Sequence, residues 1–148
     1  MFDFIKKFYN KLFKIEKSVS VSSYPNIFNH NNNDIDLSVI SLVLDGAGSA
    51  ITTGVKADIL IPYDCTIVLS TLATDVAGTI SVDIWIDTFD HFPPTVDDSK
   101  LTPSIAIAGT TYQSSALSIA IVANSIVRFN VDACDTITRC LVALNIIK

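Results

Sequence analysis

Charge is what this sequence has least of. Only 17% of its 148 residues are charged, against about 25% in an average globular domain. With 49% apolar residues and a mean hydropathy of +0.46, the chain is short of polar cover for its size. It also lacks any run of about 18–20 consecutive apolar residues, so no membrane-spanning helix is expected. Asp45, Gly46 and Gly48 interrupt the longest candidate, which starts at Val39. Residues 1–17 hold no continuous apolar stretch of the signal-peptide kind, because Lys6, Lys7, Lys11, Lys14 and Lys17 divide it. Glycine and proline number five each, too few for a collagen-like or low-complexity chain. With a membrane span set aside, the excess apolar surface points to assembly with other chains.

Histidine and cysteine are scarce too. His30 and His91 are the only histidines, and Cys65, Cys134 and Cys140 form no CxxC pair, so no zinc set at short paired spacing exists. The cysteines read as free thiols serving as small hydrophobes in a reducing compartment. A Cys134–Cys140 disulfide between adjacent strands is the alternative. Gly46-Ala47-Gly48 lacks the third glycine of a dinucleotide fingerprint, since position 51 is Ile51, and no GK[ST] follows. It reads as a turn between strands. No G-x-S-x-G elbow is present. Basic residues are few and uneven: residues 1–17 set five lysines against Asp3 and Glu16, a net of +3. Residues 18–148 set Lys56, Lys100, Arg128, Arg139 and Lys148 against thirteen aspartates, a net of −8. Nucleic-acid binding, which needs a clustered basic face, is excluded. No enzyme activity, metal or cofactor is expected.

What is present divides into three parts. Over residues 1–17, helical spacing puts Phe2, Phe4, Ile5, Phe8, Tyr9, Leu12, Phe13 and Ile15 on one half of the wheel and the lysines on the other. This amphipathic helix is expected to anchor the chain on a partner; lying on a membrane surface or bundling about an oligomer axis are the alternatives. Residues 18–36, rich in serine and asparagine, read as a linker or extended arm. From Leu37 onward the eleven acids are all aspartate, and valine, isoleucine and threonine dominate, which is β composition. Eight strand-like runs fall near 38–45, 55–61, 66–73, 79–87, 103–108, 117–122, 126–132 and 137–147, with turns that include Asp75-Val76-Ala77-Gly78. Ile80, Val82, Ile84 and Ile86 share one face of their strand. Val127, Phe129 and Val131 alternate with Arg128, Asn130 and Asp132.

Two groups of side chains invite a chemical reading. Asp83, Asp87, Asp90, Asp97 and Asp98 crowd one strand and its following loop. A hydrolase would need two carboxyls in contrasting environments. Calcium would suit the hard oxygens, but the ordered Asp-x-Asp-x-Asp-Gly pattern is missing. Trp85 lies opposite the core face of its strand, with Phe89, His91 and Phe92 just beyond. It serves either as a sugar-stacking platform or as a packing residue, against a neighbouring subunit or under the 88–102 loop.

Several stretches, in order, resemble a domain common in bacteriophage tail-fibre and minor virion proteins. Leu44-Asp45-Gly46-Ala47-Gly48-Ser49-Ala50-Ile51-Thr52-Thr53-Gly54-Val55-Lys56 is similar to its opening I-D-G-G-G-S-A-I-T-T-G-x-K, and Ile61-Pro62-Tyr63-Asp64-Cys65-Thr66-Ile67 to its I-P-x-x-C-T-I. Val82-Asp83-Ile84-Trp85-Ile86-Asp87-Thr88-Phe89 with Pro93-Pro94-Thr95 resembles a central V-D-I-W-K-D-T-Y…P-P-T. Val127-Arg128-Phe129-Asn130-Val131-Asp132 and residues 136–144 resemble the closing R-F-N-V-D…T-x-T-R-V-x-L. Ile86 and Cys140 depart from the pattern, which often has lysine and valine there. The resemblance spans residues 39–146 and leaves out 1–36. It implies a β-sandwich domain in a virion appendage, trimeric, and carries over no catalytic or ligand-binding residues.

The expected fold is all-β: an antiparallel, jelly-roll-like β-sandwich of about eight strands over 37–148, preceded by the helix of 1–17 and the arm of 18–36. The expected role is that of a bacteriophage virion structural protein of the fibre or appendage type. It is anchored to a capsid, collar or tail component through 1–36, with Phe2, Ile5, Phe8, Tyr9, Leu12 and Phe13 as contacts. The alternatives are a carbohydrate-binding receptor-recognition module reading host glycans through Trp85, Phe89, His91 and Phe92, and a capsid-decoration or head-fibre protein.

Overall fold

β-branched residues alternating with small polar ones leave the chain few conformations other than extended strand. The computed structural model describes residues 36–148, and these form an antiparallel all-β structure of six strands. They are β1 (Leu37–Asp45), β2 (Gly54–Ile61), β3 (Cys65–Thr88), β4 (Ile105–Ile121), β5 (Ser125–Asp135) and β6 (Arg139–Ile147). Two single 3₁₀ turns, Phe89–His91 and Val96–Asp98, interrupt the long connection from β3 to β4. The helix expected over 1–17, with its anchoring residues, and the arm as far as residue 35 lie outside the described residues.

Six strands replace the eight expected because two breaks are not breaks. β3 runs on through Asp75-Val76-Ala77-Gly78, where a turn is expected, and β4 runs on through 109–116. The first part of β3 pairs with β6 on one side and with 112–121 of β4 on the other. Its last part pairs with β5 and with 105–110 of β4. The sheet therefore curls into two four-stranded halves that share β3 and β4. One half has the order β1-β6-β3-β4, the other β2-β5-β3-β4. Each long strand supplies two of the eight expected runs.

The glycine at the bend has a steric task. A Cβ on Gly78 would stand 2.6 Å from Thr136 Oγ1 and 2.7 Å from the Asp135 carbonyl, so only glycine lets the β5–β6 connection approach β3 there. Asp75 fastens the same approach. Its carboxylate accepts hydrogen bonds from the Thr138 hydroxyl and from the Thr138 and Arg139 backbone N–H groups. The Thr138 hydroxyl, first among these donors, holds the Asp75 carboxyl below its usual range.

Between the halves lies one apolar core. Ile80, Val82 and Ile84 of β3 are fully buried, as are Val127 and Phe129 of β5 and Val142, Leu144 and Ile146 of β6. Each such side chain is worth about 1.5–3 kcal/mol of burial. Ile86 and Val131 join them at 5% and 1% exposure, so the expected inward faces of β3 and β5 are the observed ones.

Candidate functional site

The outward face of the β2-β5-β3 half carries the chemistry noted around Trp85. Asp83 is buried at 6% exposure, a costly position for a carboxylate unless donors surround it. Its Oδ2 accepts from Trp85 Nε1 at 2.7 Å. Its Oδ1 accepts from the Ile84 N–H at 2.7 Å and from Ser99 Oγ at 2.9 Å. Ser99 forms an isolated bridge with Trp85, and the Lys100 N–H donates to the Ile84 carbonyl at 3.0 Å. The half-buried Trp85 is thus tied under the loop that follows β3, and its one polar handle is already engaged.

Arg128 stands opposite Trp85 in the β3–β5 register. Its Nε and Nη2 grip the Asp58 carboxylate of β2 at 2.6 and 2.7 Å, while Nη1 donates to the Pro94 carbonyl at 3.0 Å. The guanidinium also sits 5.6 Å from the centre of the Phe92 ring, within cation–π range. Asp58 holds the arginine in its charged form, pushing its pKa further up. Further along, Asp132 accepts from Ser104 Oγ at 2.6 Å and from Asn130 Nδ2 at 2.8 Å. The V-D-I-W, P-P-T and R-F-N-V-D stretches therefore each contribute bonds that strap residues 88–104 onto the sheet. Nothing in composition singles out Arg128, Asp58 or Pro94. Alternation places Arg128 outward, but its partners emerge only once the strand register is known.

This network yields a prediction. Asp83→Ala strips the acceptor from three donors, and the expected cost is about 2–3 kcal/mol. Trp85 is the only tryptophan, so its emission should shift to the red as the loop loosens, while thermal unfolding reads the stability loss. Asp83→Asn, which keeps one acceptor oxygen, should fall between the two.

The other residues of the expected platform lie along the chain that follows β3. Phe92 is 53% exposed and turns to Arg128. His91 is exposed, with Nδ1 3.4 Å from Asp87 Oδ1 and 3.3 Å from Thr88 Oγ1. The Thr88 backbone N–H, with His91 adding to it, holds the Asp87 carboxyl below its usual range. Phe89 is 60% exposed and faces an open cleft of about 460 Å³ lined by Leu60, Thr88, Phe89, Asp90, Ala123 and Asn124. The backbone closes this end of the domain: Phe89 N–H donates to the Asn124 carbonyl and Asn124 N–H to the Ile61 carbonyl.

The clustered aspartates are spread among separate local tasks. Asp98 accepts from the Thr95 N–H and hydroxyl, closing a capping box, and Asp83 and Asp87 are engaged as described. Among the described residues no group of three histidine, cysteine or acidic side chains is placed to hold a metal ion. No helix among them is long and apolar enough to cross a membrane. The three cysteines are free, so Cys134 and Cys140 are not bridged. Burial pushes the Cys140 thiol up to about 11 and the Cys65 thiol upward as well, which makes both poor nucleophiles.

The outward face of the β1-β6-β3-β4 half is of another kind. β1 presents Leu37, Val39, Ser41 and Val43, paired in register with Ile147, Asn145, Ala143 and Leu141 of β6. β3 continues the face with Thr66, Leu69, Thr71 and Ala73, and β4 with Ala120, Ala116, Ser114 and Tyr112. Thr71 and Ser114 share a 2.8 Å hydroxyl contact, and so do Tyr112 and Ser114. None of these sixteen positions is charged. Charge appears beyond them, in Asp75 and the Asp45–Arg139 pair at one end and the Asp36–Lys148 pair at the other.

No protein-family model and no curated protein matches this chain. Among solved structures, a chain in the structure of infectious bursal disease virus Gx strain is similar at a TM-score of 0.37 and 16% identity. The match covers 78% of this chain and 32% of that one, so this chain spans about a third of that chain's length.

Proposed function

We propose that this chain is a structural, non-catalytic protein of a bacteriophage virion. Its β-domain is a jelly-roll sandwich of the fibre or appendage type, present as a trimer. Residues 1–36 attach it to a capsid, collar or tail component. One observation carries this reading: the residues that resemble tail-fibre and minor virion domains are spent on architecture. Asp45 through Ile51 build the β1–β2 connection, and Asp83, Trp85, Pro94 and Arg128 strap one loop to one sheet. Residues of this sort specify a shape to be assembled. The curling of one six-stranded sheet into the halves β1-β6-β3-β4 and β2-β5-β3-β4 supports the double-sheet reading, an architecture used by capsid and lectin domains. The test is mass spectrometry and immunogold labelling of gradient-purified particles from a lysate that produces the chain. Label at a fixed place on the particle is expected. A chain found only in the soluble fraction overturns the reading.

A second reading, recognition of a host glycan, is favoured by the cleft at Phe89. There an exposed ring stands beside Asp90 and Asn124, the stacking surface and polar groups a sugar requires. On a glycan array, Phe89→Ala should abolish any signal and Trp85→Ala should leave it. The reverse result returns the site to Trp85, and no binding by the intact chain removes this reading.

A further inference from the structure

We propose that the uncharged outward face of the β1-β6-β3-β4 half is the surface through which copies of this chain associate. Four strands at about 4.8 Å spacing, each about nine residues long, make a face roughly 20 Å by 30 Å. With side-chain relief that approaches the ~800 Å² per partner of a standard stable interface. Its apolar side chains are open to solvent in the single chain: Leu37 is 62% exposed, Val39 and Val43 52% each, and Tyr112 60%.

Charge decides the occupant. Residues 18–148 carry a net −8, so copies repel wherever their charged surfaces meet. The opposite half carries charge on its outward side: the Arg128–Asp58 pair beneath the 88–104 loop, with Asp87 and Asp132 beside it, paired with no arginine or lysine among the described residues. Among the described residues, the uncharged face lets copies meet without juxtaposing like charges, through hydroxyl and aliphatic groups. An acidic or basic partner would find nothing there to pair with, and an anionic lipid surface would find no cation. The Asp45–Arg139 pair, with side chains 50% and 65% exposed, lies at the rim, where charges set register between copies. Among the described residues β1 is an edge strand, and this adds a separate sign. β1 reads LSVISLVLD and pairs with β6 without a register shift, so it carries none of the lysines, prolines or bulges that guard an exposed edge. Such an edge is open to pairing with a second chain.

This inference deepens the virion reading and rests on it only for where the assembly is used. Particle composition tests that reading, and solution mass tests this one. Light scattering of the eluting full chain between about 1 and 100 μM should give a fixed multiple of 16.0 kDa. Val43→Lys, which buries an unpaired charge in the contact, should weaken association about a hundredfold or more, with far-UV circular dichroism unchanged. Ala106→Lys, on the outward face of the other half, should leave the mass as it was. Should Val43→Lys fail to fold, Val39→Ser trims apolar area without adding charge and should weaken association about tenfold. A 16.0-kDa mass for the unaltered chain at every concentration overturns the proposal. So does an assembly that a folded Val43→Lys or Val39→Ser leaves intact, or one that Ala106→Lys disrupts.

Discussion

Phe129→Ala is expected to cost about 3–5 kcal/mol, which for a domain of this size lowers the melting temperature by about 15 °C or more. Phe129 is the largest of the fully buried side chains. It sits in the middle of β5, opposite Ile84 of β3 and Ala57 of β2, so the lost ring leaves a hole in the centre of its sheet. The two flanking strands are held by ladder hydrogen bonds and cannot close over it, and the cavity adds to the lost transfer energy. Against a total stability of about 5–15 kcal/mol, such a loss brings the fold near its limit. Phe89→Ala is the internal control. It removes the same ring from a position 60% exposed and should change stability by no more than about 0.5 kcal/mol. Thermal scans of both variants at one protein concentration, since association itself raises the melting point, give the comparison. Equal shifts for the two would mean that burial in the single chain does not set the ranking.

The position of Phe129 follows from alternation, and so does much else. Ile80, Val82, Ile84 and Ile86, like Val127, Phe129 and Val131, announce an inward face because their neighbours are polar. Local pattern also finds the eight strand-like runs. It cannot tell that Asp75 through Gly78 is a bend inside one strand, because a bend and a turn use the same residues. The difference lies in Thr136 and Thr138, about sixty residues on, which crowd Gly78 and bind Asp75. The same limit hides the strap. Asp83 and Trp85 are two residues apart, yet Ser99 reaches Asp83, and Arg128 comes opposite Trp85 with Asp58 and Pro94 as its partners, only in the folded register. The uncharged face is obscured for a third reason. Strands β1 and β6 are apolar on both sides, so alternation marks no outward set, and only the pairing of Val39 with Asn145 and Val43 with Leu141 assembles one.

Gly46→Ala is the second large effect, expected to cost about 3 kcal/mol or more, beyond the usual range for overpacking because the obstacle is backbone. The β1–β2 connection turns within a few residues. Asp45 Oδ1 accepts the Ala47 N–H at 2.7 Å, and the Ser49 N–H closes back on the Gly46 carbonyl at 3.1 Å. Gly46 N–H donates to the Thr138 carbonyl at 2.8 Å, and Ile51 N–H to the Ile137 carbonyl at 2.9 Å. These two bonds lay the turn against the β5–β6 connection and set Ile51, 4% exposed, into the core. A Cβ on Gly46 would collide with the Ser49 carbonyl oxygen and crowd the Ser49 and Ala50 carbonyl carbons. No rotamer relieves a clash that begins at Cβ, so the turn must open, and the bonds to Thr138 and Ile137 go with it. Gly48 isolates the other reason a turn selects glycine. A Cβ there meets nothing within 4 Å, but its φ of +86° is one that side-chain-bearing residues rarely adopt. Gly48→Ala should therefore cost only about 1 kcal/mol. Chemical denaturation of the two variants separates them, and near-equal costs would show that conformation rather than close approach governs this turn. Because the turn bears on the β5–β6 connection that also holds Asp75 and Gly78, Gly46→Ala should loosen the bend of β3 as well. Faster hydrogen exchange at the Thr138 and Arg139 amides would record it.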